Sequence, residues 1–343
     1  MAPVNTRRPP SPRLRATLTA LVGAGTAVLL AGCTTAPPAP EPEAPVVAAV
    51  VSASQERKIL DSVSAVLERA NGEDAAPLGS RLTGPALTTR EAELRIATRA
   101  EDQALLTDLT LEARLMVLPS DEGWPRRSYV VMEPPGPKIA PVLAVFEQAG
   151  PREQYKLWAY VRLAPGVTLP HFAEPVLGSP AVAPDDDGLL VPPGQVAEQY
   201  ASLLTAGERS RYADTFTDDD YLSDWLRSSG RRQVAEIEKA DGTGSFEVAF
   251  EPADEPVVAV RTLDGGAMVV VALRGQETLR AEEHWQLAPR SPSVAALWDD
   301  GDGTNVLRTS YHHTVALYVP PAGSGARVSL LGVQPVPFAV SAG

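Results

Sequence analysis

Residues 192–207 read PPGQVAEQYASLLTAG. Val196, Tyr200, Leu203 and Leu204 fall at i, i+4, i+7 and i+8, which is one face of a helix. Pro192-Pro193 suits its start and Gly207 its stop. The same apolar face occurs earlier in the chain: Ile59, Val63, Val66 and Leu67 each lie 137 residues upstream of a counterpart. That earlier helix opens at Ser52, where Ser52 and Gln55 fit a capping box, and stops at Asn71-Gly72.

Each predicted helix leads into short elements and then into strand-like runs bounded by Pro or Gly. In the first half, Gly84-Pro85 marks a turn, and Thr89 to Ile96 reads as a short helix or a strand. Strands are expected at Leu109–Leu118, Ser128–Met132, Val142–Phe146 and Tyr155–Leu163. In the second half a helix around Tyr221, Leu222, Trp225 and Leu226 is capped by Asp218 or Asp219. Strands are expected at Ser245–Phe250, Val257–Leu263, Ala267–Leu273, Thr278–Leu287, Leu307–Val319 and Arg327–Leu331. A helix followed by a meander, written twice, is an α+β pattern. It predicts two tandem α+β domains, 52–183 and 184–343, each an N-terminal amphipathic helix followed by an antiparallel strand meander. The Pro- and Gly-rich stretch 165–193 joins them as a linker or an ordered crossing. A helix followed by a curved antiparallel sheet resembles the cystatin-like and cone-shaped NTF2-like folds, most of all in the second half.

Residues 1–32 carry Arg7, Arg8, Arg13 and Arg15 and no acid, and an apolar stretch runs from Ala16 to Ala31. A basic start and a short apolar run read as an export signal. The run is too short and too interrupted for a membrane span of about 20 residues. It ends in Leu30-Ala31-Gly32-Cys33, which resembles the lipobox of bacterial lipoproteins. The resemblance implies cleavage between Gly32 and Cys33 and a diacylglycerol on the Cys33 thiol. The mature chain would then start at Cys33 and be held to the outer face of the cell membrane by lipid, since two acyl chains suffice for stable anchoring. Five of the twelve residues from Thr34 to Pro45 are Pro. With its neighbours to residue 51 this segment reads as an extended tether. Arginines outnumber lysines 26 to four in a chain rich in Ala, Pro and Val, so as a whole it resembles envelope lipoproteins of actinobacteria.

Composition excludes several classes of function. The 343 residues carry 30 basic and 43 acidic side chains, a net charge of −13. Loss of the first 32 residues would deepen this to −17. So acidic a chain lacks the basic face that nucleic-acid binding requires. One cysteine allows no internal disulfide and no cysteine-based metal cluster.

The chain shows no coherent catalytic set, and neither a cofactor nor a metal site is expected. There is no G-x-S-x-G elbow and no phosphate-cradling G-x-x-x-x-G-K-[ST] loop. His312 and His313 are neighbours on a predicted strand and point to opposite faces, which rules against joint chelation. His171 lies in a Pro-flanked loop near Glu174, and His284 follows Glu282 and Glu283. Asp299 to Asn305 has the acids of a calcium loop out of register and reads as a turn. Asp185 to Asp187 reads as a solvated loop. Trp158 and Tyr160 share a face by period two, and core packing is the expectation for both. The anchor without a catalytic set points to a non-catalytic binding or interaction module of the envelope, with an unknown protein or cell-wall partner. The alternative is a hydrolase whose pocket lies in the concave face of one sheet, with His284 or His171 beside an acid.

Overall fold

The structure is a computed structural model that describes residues 48–71, 78–299 and 303–343. Gly32, Cys33 and most of the tether lie outside the described residues. Two helices open the first half, α1 (Ala53–Asn71) and α2 (Gly84–Ala100). The expected capping box is present: the Ser52 backbone N–H donates to Gln55 Oε1 at 2.8 Å, and the Gln55 N–H donates to Ser52 Oγ at 3.2 Å. In place of the expected turn, Gly84-Pro85 begins the 17-residue helix α2. Pro at the first helical position gives up only an N–H that has no partner there, so it starts a helix as readily as it breaks one.

The strands of the first half are β1 (Ala113–Val117), β2 (Arg126–Met132), β3 (Val142–Gln148) and β4 (Lys156–Leu163). The second half repeats the plan with α3 (Pro193–Ala206) and α4 (Tyr221–Glu238). Asp220 caps α4, its side chain accepting from the Ser223 N–H at 2.7 Å, so neither Asp218 nor Asp219 is the cap. There follow β5 (Gly244–Pro252), β6 (Val258–Arg261), β7 (Ala267–Ala281), the short α5 (Pro292–Ala295), β8 (Val306–Val319) and β9 (Ser329–Ala342). The two runs expected at Ala267–Leu273 and Thr278–Leu287 are one 15-residue strand as far as Ala281, followed by a turn.

The fold is α+β, and its strands form one antiparallel sheet of nine, in the order β1-β2-β3-β4-β9-β8-β7-β5, with β6 also paired to β7. The two meanders thus share one sheet. They meet at β4 and β9 through two residue pairs, Arg162 with Val333 and Leu163 with Gly332. The stretch between them is an ordered crossing. The Ser179 N–H donates to the Leu118 carbonyl beyond β1, and the Val182 N–H donates to the Ala259 carbonyl on β6. Asp186, in the expected solvated loop, pairs with Arg261.

Apolar burial follows the strand alternation. Leu60, Val63, Val66 and Leu67 of α1 pack with Val130, Ala144, Phe146 and Leu157 of the first meander. Val196, Tyr200, Leu204, Leu222 and Leu226 of α3 and α4 pack on Val269, Val271, Leu273, Val315 and Leu317 of the second. A third cluster joins Tyr129, Val131, Leu143, Val145 and Val161 to Val258, Val260, Met268 and Val270. Trp158 and Tyr160 are buried, but on different sides. The register shifts between Val145 and Phe146 of β3, which pair with Ala159 and Leu157, so Trp158 bulges and joins the third cluster while Tyr160 faces the helices.

Candidate functional site

Between α4 and the long strands of the second half lies a pocket of about 690 Å³. Its floor follows from the β7–β8 register. Glu277 pairs with Thr309, Gly275 with Tyr311, and Leu273 with His313, so the odd-numbered residues of both strands share one face. β9 adds Pro335 and Pro337, opposite His313 and Tyr311. The roof is a stripe of α4, with Trp225, Ser229, Arg232, Gln233 and Glu236 at helical spacing. One wall is the segment after β7, which brings Trp285 and Leu287.

Gly275 shapes the floor. A Cβ there would stand 2.8 Å from His313 Cε1 and 2.8 Å from Phe250 Cε1. Only a residue without a side chain lets the imidazole settle onto β7. The His313 ring meets Phe250 edge-on with centroids 5.0 Å apart and lies 5.6 Å from Tyr311. It is 2% exposed, and its Nδ1 has no hydrogen-bond partner. Burial, with a smaller push from His312, lowers its pKa to about 3, so the ring is neutral at physiological pH. Burial alone pushes the Glu277 carboxyl up to about 7. Among the described residues no side chain makes an ion pair or a hydrogen bond with it. The Tyr311 phenol is held far above its usual value by burial and by the Glu277 charge. The floor therefore sets polar groups without protein partners into a lining that is otherwise mostly apolar and aromatic. This is the usual build of a small-molecule site.

The two histidines that the sequence offers for a hydrolase, His171 and His284, are elsewhere. His171 is exposed in its loop. His284 stands on an exposed turn with Nε2 3.7 Å from a Glu282 carboxylate oxygen. Neither lines this pocket. The two adjacent histidines do point to opposite faces: His312 stacks on Phe338 at 4.1 Å, and His313 enters the site. Trp225 of the predicted helix is half-buried in the roof. Nothing in the sequence pattern marks Glu277 or Tyr311. The one available signal was an isolated Gly inside a strand pattern, which marks a bulge or a close approach. Asp300 to Asp302 of the acidic turn lie outside the described residues. Among the described residues, no group of three His, Cys, Asp or Glu side chains is placed to hold a metal ion. Nor is any described helix long and apolar enough to cross a membrane.

The chain is similar to an uncharacterised lipoprotein of Streptomyces avermitilis, at 27% identity over 227 residues. That match covers 66% of this chain and 65% of the relative, so the chain spans just under two thirds of the relative's length. No solved structure matches the chain. The model of a family described as a domain of unknown function, DUF8094, matches residues 47–335, which takes in both helix pairs, eight whole strands and the first part of β9. On that match, which covers most of its length, the chain belongs to the DUF8094 family.

Proposed function

We propose that this chain is a lipid-anchored protein on the outer face of the cell membrane that holds a small, largely apolar ligand in the pocket beneath α4 without transforming it. The observation that carries the binding reading is the pocket itself: about 690 Å³, lined by Trp225, Trp285 and Tyr311, with His313 Nδ1 unpartnered on its floor and Glu277 in no ion pair among the described residues. The anchor rests on the Leu30-Ala31-Gly32-Cys33 lipobox and is supported by the lipoprotein relative. We further read each half as a helix pair followed by a meander in the manner of cone-shaped NTF2-like folds, whose concave face is a natural ligand cavity.

A second reading, a hydrolase, is favoured by one observation: a histidine and a carboxylate with displaced pKa values line the same pocket. Against it, His313 is held neutral far below physiological pH, and no hydrogen bond joins it to Glu277 or to a nucleophile.

The test is binding of the neutral fluorophore Nile red to the unlipidated Cys33→Ser chain, with Ser229→Trp filling the roof. Saturable binding that Ser229→Trp abolishes supports the reading. Binding unchanged by Ser229→Trp, or none at all, overturns it.

A further inference from the structure

We propose that the ligand of this pocket carries a protonated amine on an apolar, ring-bearing body, with the ammonium seated on Glu277. The inference rests on the pocket reading above and deepens it. Glu277 is partly buried on the pocket floor, where a carboxylate is stabilised by a cation or several donors, and it has neither from the described residues. The remaining floor holds no cation, and no hydroxyl there bonds Glu277 among the described residues. His313 is fully buried with Nδ1 unpartnered and stays neutral, Tyr311 is a phenol, and Pro335 and Pro337 have no side-chain donor. Thr309, directly opposite on β8, brings at most a hydroxyl.

The cations of the site lie at its rim. Arg232 comes from α4, Lys239 from the residue that ends it, and Arg290 from the segment after β7. Lys239 pairs with Glu236, and Arg290 stands 3.7 Å from the same carboxylate. Arg232 is exposed. None of these makes an ion pair with Glu277 among the described residues, so a cation to pair with it would come with the occupant. The net charge of −13 favours the approach of a cation at long range. Trp225 and Trp285 also line the pocket and bring aromatic surface to the body of the ligand.

The amine demands a particular pH dependence. Glu277 must be ionised to hold an ammonium, and burial places that ionisation at about pH 7. Amine binding should tighten from pH 5.5 to 8, whereas a ligand that accepts a hydrogen bond from the protonated carboxyl would weaken over the same range.

The probes are 2-naphthylmethylamine and its uncharged counterpart 2-naphthalenemethanol, titrated by calorimetry into the Cys33→Ser chain. At pH 8 the amine should bind more tightly than the alcohol by about tenfold, the scale of one charge-assisted contact. That preference should shrink toward pH 5.5 and vanish in Glu277→Gln, with the alcohol bound as before. The wild-type pH profile tests the idea even if that variant folds poorly. Equal binding of the two probes by the wild type overturns the amine and leaves the pocket reading standing. So does a preference that survives Glu277→Gln, or one that grows as pH falls. Binding of neither probe overturns both readings together.

Discussion

Gln334 on β9 donates a side-chain hydrogen bond of 3.1 Å to Glu93 on α2, across 241 residues of sequence. Both groups are buried, at 3% exposure each. Glu93 also receives Arg90 at 2.9 Å, the Thr107 hydroxyl at 2.6 Å and the Tyr160 hydroxyl at 3.0 Å. Arg162 reaches Thr107 Oγ1 at 2.8 Å, and Arg90 bonds Asn71 Oδ1 at 2.7 Å. The network lies beside the two residue pairs that join β4 to β9, so the bond between the halves is polar where its strand pairing is thin. A buried ion pair of this kind is costly to break from one side, because the abandoned charge stays buried. Arg90→Ala and Glu93→Ala should each lower stability by about 3–5 kcal/mol in urea unfolding. The double variant should lose less than their sum, since the two residues act as one unit. Additive losses would show that the pair is not coupled.

Stability should be greatest on the acid side of neutrality. Glu56 on α1 and Glu277 on β7 are both pushed up by burial to about 7, from an ordinary value of 4.5. Over that interval the native state holds protons that the unfolded chain has released, so stability falls as pH rises. His313 works in the other direction. Its native value of about 3 against an ordinary 6.5 makes stability fall as pH drops through that range. Two carboxyls outweigh one imidazole above pH 4.5, which places the maximum at roughly that pH. Urea midpoints at pH 5, 6.5 and 8 check the profile. Glu277→Gln should raise the pH 8 value by up to about 3 kcal/mol and flatten the decline. A midpoint that rises from pH 5 to pH 8 contradicts this account.

Gly275→Ala should damage the pocket more than the fold. The added methyl meets the His313 and Phe250 rings at 2.8 Å, and overpacking of this kind costs about 1–3 kcal/mol. Nile red binding should drop with it, because the imidazole must move off β7 into the cavity. Gly123→Ala, where a Cβ meets nothing within 4 Å, is the control and should change neither quantity. Wild-type binding by Gly275→Ala would remove His313 from the site.

Cys33→Ala should release the protein from the membrane fraction or leave its precursor unprocessed. The measurement is fractionation followed by mass analysis of the amino terminus. Unchanged membrane retention would sink the lipid anchor.

The sequence shows most clearly those elements whose signals are local. Ser52 and Gln55 reveal the start of α1 because both partners of the cap lie within one turn. Glu277 and His313 carry no such mark, because what joins them is the register of β7 against β8 and the burial supplied by α4. The polar run Arg274-Gly275-Gln276 splits β7 in the sequence, yet the strand passes straight through, and the apparent break is the floor of the pocket. β9 looks finished at Leu331 because Pro335 and Pro337 follow. Prolines are tolerated there because β9 pairs β4 only at Gly332 and Val333, and beyond them one side of the strand makes no ladder. Trp158 misleads for a related reason, since a bulge resets the alternation from which its face was read.

The crossing segment between the halves has a consequence for how copies of this protein behave beside one another. An open sheet offers its outermost strands as templates to any neighbouring chain. Here Ser179 and Val182 are bonded to the residues beyond β1 and to β6, closing the two ends of the sheet toward each other. Arg81 and Thr83 bond both polar groups of Leu157 on β4. On β5, the Phe250 N–H donates to the Thr205 hydroxyl at 2.8 Å. The proposed lipid anchor would concentrate the chain in two dimensions, where copies meet often. At these positions the strand backbone is already bonded within the chain, which leaves a neighbouring copy fewer groups to pair with.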